Sequence, residues 1–330
     1  MKKKILSFSQ SINEAMHQAM ILDSSVFTFG QGVDKTANVY QTTNGLLKKF
    51  KSKRIFDTPN SEQAETALAL GASLNGGLRP VLIHHRVDFM PYSFDQLINW
   101  ISLWSFKSAK KSFAPLVIRA MVGRDWGQGP QHAKTLHTMF SYIPGLRVVM
   151  PSSASEAKGM LLSSIMSDDP VIFLEYRSLY NTKELVPIDR YYIDLDKPRL
   201  RLQGNALTLV AAGASVLTSL KAAEILYKKK GIKCDLIDLR SISNMKLETV
   251  LNSVRKTKKL VLIEDGWKNF GYAAEIITCV SEANIKLDSA PQRVCWPNSH
   301  VPMSSPLEKD FYFDEHDIVK ACYKALNLKK

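Results

Sequence analysis

The segment Arg54-Ile55-Phe56-Asp57-Thr58-Pro59-Asn60-Ser61-Glu62 has the pattern of a strand followed directly by a helix. Its apolar residues predict a short strand, Pro59 ends that strand, and Ser61 is placed to cap a helix of small residues running to Leu74. Glu62 then falls in the first turn of that helix, at the carboxyl edge of a sheet. A carboxylate there either complements the helix dipole or contacts a ligand, because ligands of open α/β sheets bind at this edge.

The same alternation of strand and helix extends along the chain on both sides of this segment. Further short apolar strands are predicted at 26–29, 80–83, 115–121, 147–150 and 171–175. Helical patterns separate them at 12–22, 46–50, 94–104, 132–140 and 155–166. Consecutive strand–helix units of this kind indicate a parallel sheet that is covered by helices on both faces.

A stretch without sustained apolar periodicity, 181–203, interrupts the alternation and divides the chain into two parts. After it, strands are predicted at 207–212, 233–239, 260–264 and 292–295, with helices at 216–227, 247–254, 272–282 and 318–326. We therefore predict the α/β class with two doubly wound domains. The first covers residues 1–190, a linker covers 191–204, and residues 205–330 form a second domain that mainly assembles subunits.

Composition excludes several classes of protein. The chain has 330 residues, of which 45% are hydrophobic and 23% charged, so it is neither collagen-like, disordered, nor a small disulfide scaffold. No apolar stretch reaches the roughly 20 residues of a membrane span. The basic N-terminus is followed by an apolar run too short for a signal peptide. We expect a cytoplasmic protein that does not bind membranes.

The net charge of +13 raises the question of nucleic-acid binding. The cations occur in short groups, such as Lys228–Lys230, mostly where a predicted helix ends, which suits cations at helix C-termini. No basic motif interleaved with aromatic residues accompanies them. We therefore expect solvated surface charge and no nucleic-acid partner.

Familiar metal, nucleotide and thiol motifs are absent from the sequence. The four cysteines are widely spaced, which favours buried free thiols, and His84 and His85 point to opposite faces of a strand. After Gly30, Lys35 stands where the dinucleotide-binding motif needs its third glycine. A second glycine-rich turn, Gly127–Pro130, leads directly to His132 and makes that histidine a candidate acid or base, or else a solvent-exposed turn residue.

The chain resembles, in collinear order, the beta subunit of the thiamine-diphosphate-dependent 2-oxo acid dehydrogenase decarboxylating component. This family serves pyruvate and branched-chain 2-oxo acids and is related to the transketolase pyrimidine-binding and C-terminal domains. The stretches that carry the resemblance are Phe56-Asp57-Thr58-Pro59-Asn60-Ser61-Glu62, Gly76-Gly77-Leu78-Arg79-Pro80, Phe94-Asp95-Gln96-Leu97-Ile98-Asn99, Gly129-Pro130-Gln131-His132, Ile143–Pro151, Asp168–Glu175, Ile237–Ile242 and Glu264-Asp265-Gly266-Trp267.

The resemblance implies a role for four residues at a thiamine diphosphate site. Glu62 matches the glutamate that hydrogen-bonds the cofactor's aminopyrimidine and favours the tautomer that removes the thiazolium proton. Phe89 matches the aromatic residue that packs on the aminopyrimidine, and Gln31 matches a cofactor-binding position. His132 matches the histidine that handles intermediates and the lipoyl acceptor.

The resemblance also implies a metal ion and partner subunits. A structural potassium ion would be held mostly by backbone carbonyls, at positions Leu116, Ser164, Ile165, Ser167 and Asp169. The diphosphate and Mg²⁺ need a G-D-G segment that this chain lacks and that lies on the alpha subunit. The expected assembly is two alpha and two beta subunits, with a lipoyl acyltransferase as a further partner in pyruvate metabolism.

The chain departs from the resemblance at several positions near the expected site. Gln31 replaces an acidic residue, Asn60 a hydrophobic one, Ala64-Glu65-Thr66 a glycine-rich helix start, and His85-Arg86 an apolar or amide pair. Arg124-Asp125-Trp126 adds polar bulk before His132. His85, Arg86 and Asn60 are therefore substrate candidates. Two alternatives stay open: a transketolase-like or acyloin-forming ligase for a polar or phosphorylated substrate, and a non-catalytic scaffold subunit.

Overall fold

A computed structural model describes residues 2–35, 39–74, 77–124 and 127–328. Three residues singled out in the sequence, Gly76, Asp125 and Trp126, lie outside these ranges. The chain divides into two compact units, Met1–Gly123 with Met139–Leu195, and Arg124–Thr138 with Asp196–Lys330. The segment 124–138, which the sequence analysis included in the first domain, thus packs with the second unit.

The first unit is built on a parallel sheet of six strands in the order β3-β2-β4-β5-β7-β6. The strands are β2 (Val26–Gly30), β3 (Ile55–Asp57), β4 (Arg79–His84), β5 (Val117–Val122), β6 (Arg147–Val149) and β7 (Val171–Tyr176). Most of their residues are buried, because helices cover a parallel sheet on both faces. Two further strands, β1 (Lys3–Ser7) and β8 (Lys183–Pro187), form a separate antiparallel pair.

The helices of the first unit confirm most of the sequence pattern. They are α1 (Phe8–Leu22), α2 (Leu46–Phe50), α3 (Glu62–Leu74), α4 (Trp104–Lys107), α6 (His137–Ser141, which continues from the second unit) and α7 (Ala154–Met166). Helix α1 begins before the predicted residue 12, because Ser7 and Gln10 form a capping box at its start. Short 3₁₀ helices cover Val39–Gln41, Val87–Ser93 and Arg177–Leu179.

Two helices that the sequence predicted as continuous are interrupted in the structure. The region 94–104 contains a π-helix, Gln96–Ile101, with Leu97 and Ile101 buried, and its wider turn interrupts the α-helical pattern. The region 132–140 is split between α5 (Gly129–His132) and α6, with Leu136 at a φ of 45° in between. A left-handed residue such as this one breaks a right-handed helix.

The second unit contains a five-stranded sheet in the order β13-β12-β10-β11-β9. The strands are β9 (Arg199–Leu202), β10 (Thr208–Ala211), β11 (Asp235–Asp238), β12 (Leu260–Trp267) and β13 (Gln292–Trp296). Its helices besides α5 are α8 (Ala214–Lys230), α9 (Glu248–Thr257), α10 (Tyr272–Glu282), α11 (Ser305–Phe311) and α12 (Glu315–Ala325). Strand β9 runs antiparallel to β11 inside the stretch predicted to be a linker, because pairing with β11 satisfies its backbone groups.

Local chemistry in the second unit agrees with the sequence in part. Lys228–Lys230 occupy the last turn of α8, which ends at Gly231 with a φ of 64°. All four cysteines are free, but only Cys234 and Cys322 are buried, and Cys279 and Cys295 are partly exposed. Burial raises the pKa of Cys234 and of Cys295 to about 12. Among the described residues, no helix is long and apolar enough to cross a membrane.

Candidate functional site

Polar side chains collect at the carboxyl edge of the first sheet, where β2, β3 and β4 end. Gln31 follows β2, Thr58 follows β3, and His84 is the last residue of β4. Gly30 has a φ of 136°, and a Cβ atom built on it would clash with the carbonyl oxygen of Ile83. Only glycine fits at this strand end, and its close approach to β4 places Gln31 next to that strand.

Glu62 is the first residue of α3, and its side chain is partly exposed at this edge. Its Oε1 atom accepts a hydrogen bond of 3.0 Å from Nε2 of Gln31. No hydrogen bond from the described residues reaches its Oε2 atom. A carboxylate with one oxygen tethered and the other open can hold or release a proton at the open oxygen. The structure therefore brings together Glu62 and Gln31, two of the residues expected from the sequence.

Glu65, one turn further along α3, is the buried carboxylate of this edge. Thr58 Oγ1 donates to its Oε1 at 2.7 Å, and its Oε2 lies 3.2 Å from Nδ1 of His84. Burial alone would raise the pKa of Glu65, but the contacts from His84 and Thr58 outweigh burial and hold that pKa below its usual value. Sequence reasoning did not assign a role to Glu65 or His84. One signal was available for Glu65: it is an acidic residue at a helix start where the family that the chain resembles has a glycine-rich sequence.

The substrate candidates His85 and Arg86 follow β4 and are both partly buried. Burial, and then the charge of Arg86, lowers the pKa of His85, so its imidazole is neutral at neutral pH. Its Nε2 atom is buried and makes no hydrogen bond within the described ranges. Burial also lowers the pKa of Arg86, which feels the charge of Arg177. This places a second arginine, not singled out from the sequence, near the candidates.

The other two candidates of the first unit differ in exposure. Phe89 lies in the 3₁₀ helix Val87–Ser93 and is partly buried. Asn60 is exposed in the turn between β3 and α3. Its side chain is free to contact a ligand but makes no hydrogen bond within the part of the chain that the structure describes.

His132 lies in the second unit, at the end of the short helix α5. The segment 124–138 around it is held by three carboxylates. At its start, Arg124 Nη1 lies 2.9 Å from Oδ1 of the buried Asp265. Three residues further along, the Gly127 N–H donates to Glu308 Oε2 at 3.1 Å.

The end of the segment is held by Glu264, the residue that precedes Asp265 in β12. His137 Nε2 lies 2.8 Å from Glu264 Oε1, and the same carboxylate accepts the backbone N–H groups of Tyr272 and Ala273 at the start of α10. Adjacent acidic residues of one strand, Glu264 and Asp265, thus fix both ends of the segment that carries His132. This explains why the segment packs with the second unit.

We expect Asp265→Asn to loosen the segment around His132. A hydrogen bond to a charged group contributes about 1.5–3 kcal/mol, which corresponds to an increase of about 10-fold to 100-fold in local opening. Hydrogen–deuterium exchange followed by mass spectrometry on a peptide covering 124–138 measures this change. Glu224→Gln is the matched control, because it removes an exposed ion pair with Lys228 on α8 of the same unit. Equal exchange in both variants would contradict the conclusion that Asp265 anchors the segment 124–138.

The five positions expected to hold potassium have most of their carbonyl groups engaged within the protein. Leu116 O accepts from Val171 N at 3.0 Å, and Ser164 O accepts from Ser167 N at 3.3 Å. Arg79 Nη1 donates to the carbonyl oxygens of Ile165 and Ser167 at 3.2 and 2.7 Å.

The side chain of the fifth residue is also paired, since Asp169 Oδ2 lies 3.3 Å from Arg147 Nη2. The guanidinium group of Arg79 therefore already places a positive charge at the carbonyl oxygens of Ile165 and Ser167, where the potassium ion was expected. Within the described ranges, no group of three or more His, Cys, Asp or Glu side chains could hold a metal ion.

Two domain families and one solved structure match this chain. The transketolase pyrimidine-binding domain family matches residues 4–183, and the transketolase C-terminal domain family matches residues 196–318. A solved structure described as a split-gene transketolase, inactive beta4 tetramer, superposes with a TM-score of 0.78 at 19% identity, covering 98% of this chain and 99% of that one. That similarity supports the fold.

Curated relatives are similar over nearly their full length. The beta subunit of the pyruvate dehydrogenase E1 component of Acholeplasma laidlawii is 35% identical, covering 98% of both chains. The corresponding subunit of Rickettsia felis is 33% identical over 97% of this chain and 98% of its own. The beta subunit of acetoin:2,6-dichlorophenolindophenol oxidoreductase of Bacillus subtilis is 33% identical over 98% of both chains.

Proposed function

The chain belongs to the family of beta subunits of thiamine-diphosphate-dependent 2-oxo acid dehydrogenases, and we propose that it acts together with an alpha subunit. The two subunits decarboxylate a 2-oxo acid and transfer the acyl unit to an acceptor such as lipoamide. The observation that carries the proposal is the carboxylate of Glu62, with one oxygen tethered by Gln31 and the other open at the carboxyl edge of the sheet.

The residues of this edge fit the cofactor. The open Oε2 of Glu62 would bind a ring nitrogen of the aminopyrimidine, and the ring of Phe89 would pack on its face. When bound, thiamine diphosphate would supply a nucleophilic thiazolium carbon for addition to the 2-oxo group and a cationic ring that serves as the electron sink for decarboxylation. Glu62 holds or releases the proton that this activation requires, and Gln31 keeps its carboxylate in place.

His132 has a separate role in the proposal. Its imidazole orients the acceptor or the acyl group during the transfer step, as the resemblance implies. Glu264 and Asp265 anchor the segment that carries His132. This supports the role, because a residue that orients the acyl group or its acceptor must itself be held in a fixed position.

The alpha subunit would hold the diphosphate group and Mg²⁺, in an assembly of two alpha and two beta subunits in the cytoplasm. A lipoyl acyltransferase is the proposed further partner. A structural potassium ion at Leu116, Ser164, Ile165, Ser167 and Asp169 stays a prediction of the resemblance. The two hydrogen bonds from Arg79 weigh against it.

The proposal is tested by co-expression with an alpha subunit that carries the G-D-G segment. We expect the two chains to co-purify and to decarboxylate a 2-oxo acid in a thiamine-diphosphate-dependent reaction, measured with 2,6-dichlorophenolindophenol as electron acceptor. A lipoyl domain in place of the dye tests the acyltransferase partner. The isolated beta chain is the control. Full cofactor-dependent turnover by this chain alone would contradict the proposal.

A polar or phosphorylated substrate is the second candidate. The partly buried Arg86, whose pKa is affected by Asp88 and by Arg177, lies beside the neutral His85, and the two arginines together favour an anionic group on the substrate. Asn60, exposed in the preceding turn, is the third substrate candidate. Turnover of pyruvate compared with that of phosphorylated 2-oxo or sugar substrates separates the two candidates.

A further inference from the structure

A closed ring of polar contacts begins and ends at Glu62. Its members lie on α3, after β2, at the end of β4 and in the 3₁₀ helix that follows β4. In order around the ring they are Glu62, Gln31, Glu65, His84, Thr66 and Ser93. Except for Glu62, every member is buried.

The first half of the ring joins two carboxylates through one amide. Gln31 Nε2 lies 3.0 Å from Glu62 Oε1 and 3.5 Å from Glu65 Oε2. Both neighbours of the amide nitrogen are carboxylate oxygens, which accept hydrogen bonds, and only the NH₂ group of glutamine can donate to them. The orientation of the Gln31 amide is therefore fixed by Glu65 as well as by Glu62.

The second half of the ring determines which atoms carry hydrogen. Ser93 Oγ donates to the backbone oxygen of Glu62 at 2.8 Å, so it accepts from Thr66 Oγ1, which lies 2.9 Å away. The single hydroxyl hydrogen of Thr66 is thus used. His84 Nε2 lies 3.3 Å from the same Thr66 oxygen and must be the donor there.

The opposite nitrogen of the imidazole faces a negative charge. His84 Nδ1 lies 3.2 Å from Glu65 Oε2, a contact within ion-pair distance that lacks the alignment of a hydrogen bond. A lone pair on Nδ1 would be repelled by the carboxylate, whereas an N–H is attracted to it. With Nε2 already a donor, a proton on Nδ1 makes His84 an imidazolium. The side chains are only 1% and 2% exposed, so solvent screens this pair weakly.

We propose that Glu65 and His84 form a buried ion pair that positions Glu62 by holding the Gln31 amide with its NH₂ group toward the Glu62 carboxylate. Glu62 then keeps Oε1 tethered and Oε2 available to the cofactor. The ion pair stands on the contacts alone, whereas its positioning role rests on the proposed function. Two further titratable groups are linked to Glu65: Glu62 through the shared Gln31 amide, and His85 through their electrostatic interaction.

The ion pair is tested by nitrogen-15 solid-state NMR of the alpha–beta assembly, with histidine labelled only in this chain. The signal that disappears in His84→Gln identifies the ring. We expect that signal to be a doubly protonated imidazole at neutral pH in the wild type and a neutral ring in Glu65→Gln. A neutral His84 ring in the wild type would overturn the ion pair.

The positioning role is tested by hydrogen–deuterium exchange at the thiazolium carbon, with the dissociation constant of thiamine diphosphate measured separately. Glu65→Gln should slow the exchange by about 10-fold to 100-fold and lower cofactor affinity much less, because Glu62 is one of several groups that bind the cofactor but the one that exchanges the proton. The double variant Glu65→Gln/His84→Gln should recover part of the loss, since it leaves no unpaired buried charge.

The matched control is Thr28→Val, which removes a buried hydrogen bond of 2.6 Å to the Val81 carbonyl in the same sheet but outside the ring. It should lose stability and keep wild-type exchange. Wild-type exchange in Glu65→Gln together with slow exchange in Glu62→Gln would overturn the positioning role alone. Wild-type exchange in Glu62→Gln as well would overturn the proposed function and the positioning role with it.

Discussion

Glu62→Gln is expected to slow hydrogen–deuterium exchange at the thiazolium carbon by about 100-fold to 10,000-fold, the usual range of general acid–base contributions. The amide can still accept the hydrogen bond that Gln31 now donates to Oε1, so the helix start and the first unit should stay folded. It cannot take up and return a proton at the position of Oε2. The measurement is quenched-flow exchange in the assembled enzyme, followed by NMR of the released cofactor.

His132→Ala is the control for this prediction, because it lies outside the unit that carries Glu62. It should leave the exchange rate near that of the wild type and reduce the later transfer to the acceptor. Wild-type exchange in Glu62→Gln would mean that the cofactor is activated by a different residue. Equal slowing in both variants would instead place His132 in the activation step.

Arg119→Met is expected to cost the first unit about 3–5 kcal/mol in the free energy of unfolding, the range for removing one partner of a buried ion pair. Arg119 on β5 and Glu175 on β7 are each 1% exposed, and Arg119 Nη2 lies 3.0 Å from Glu175 Oε2. Tyr180 donates to the same carboxylate oxygen at 2.8 Å. Without Arg119, the charge of Glu175 would stay buried. Of the two groups described here that donate to it, the Tyr180 hydroxyl alone would remain.

Urea unfolding of the assembled enzyme measures this loss. The double variant Arg119→Met/Glu175→Leu should lose less than either single variant, because it leaves no isolated buried charge. Lys320→Met, which breaks an exposed ion pair with Asp317, serves as the surface control and should change stability by at most about 1 kcal/mol. A single-variant loss as small as this control would contradict the prediction.

The candidate site was predicted in part. Local signals, a strand end, a proline and a helix start within one segment, placed Glu62 at the start of α3, whereas its role toward the cofactor comes from the resemblance. Glu65 and His84 were not assigned, because the feature that matters is a contact between α3 and β4 across the sheet edge. From the sequence, an acidic side chain in the first turn of a helix is explained by the helix dipole. Its contact with a residue of another strand is visible only in the folded structure.

The sequence by itself determined the α/β class, the order of most strands and helices, and the placement of Glu62 at a helix start. These features follow from apolar periodicity and turn residues, which act over a few residues. Tertiary structure alone decided that β9 pairs antiparallel with β11, and that the segment carrying His132 is anchored to Glu264 and Asp265. The physical reason is that backbone pairing and buried charge require partners distant in the chain, and no local pattern of residues specifies which partner arrives.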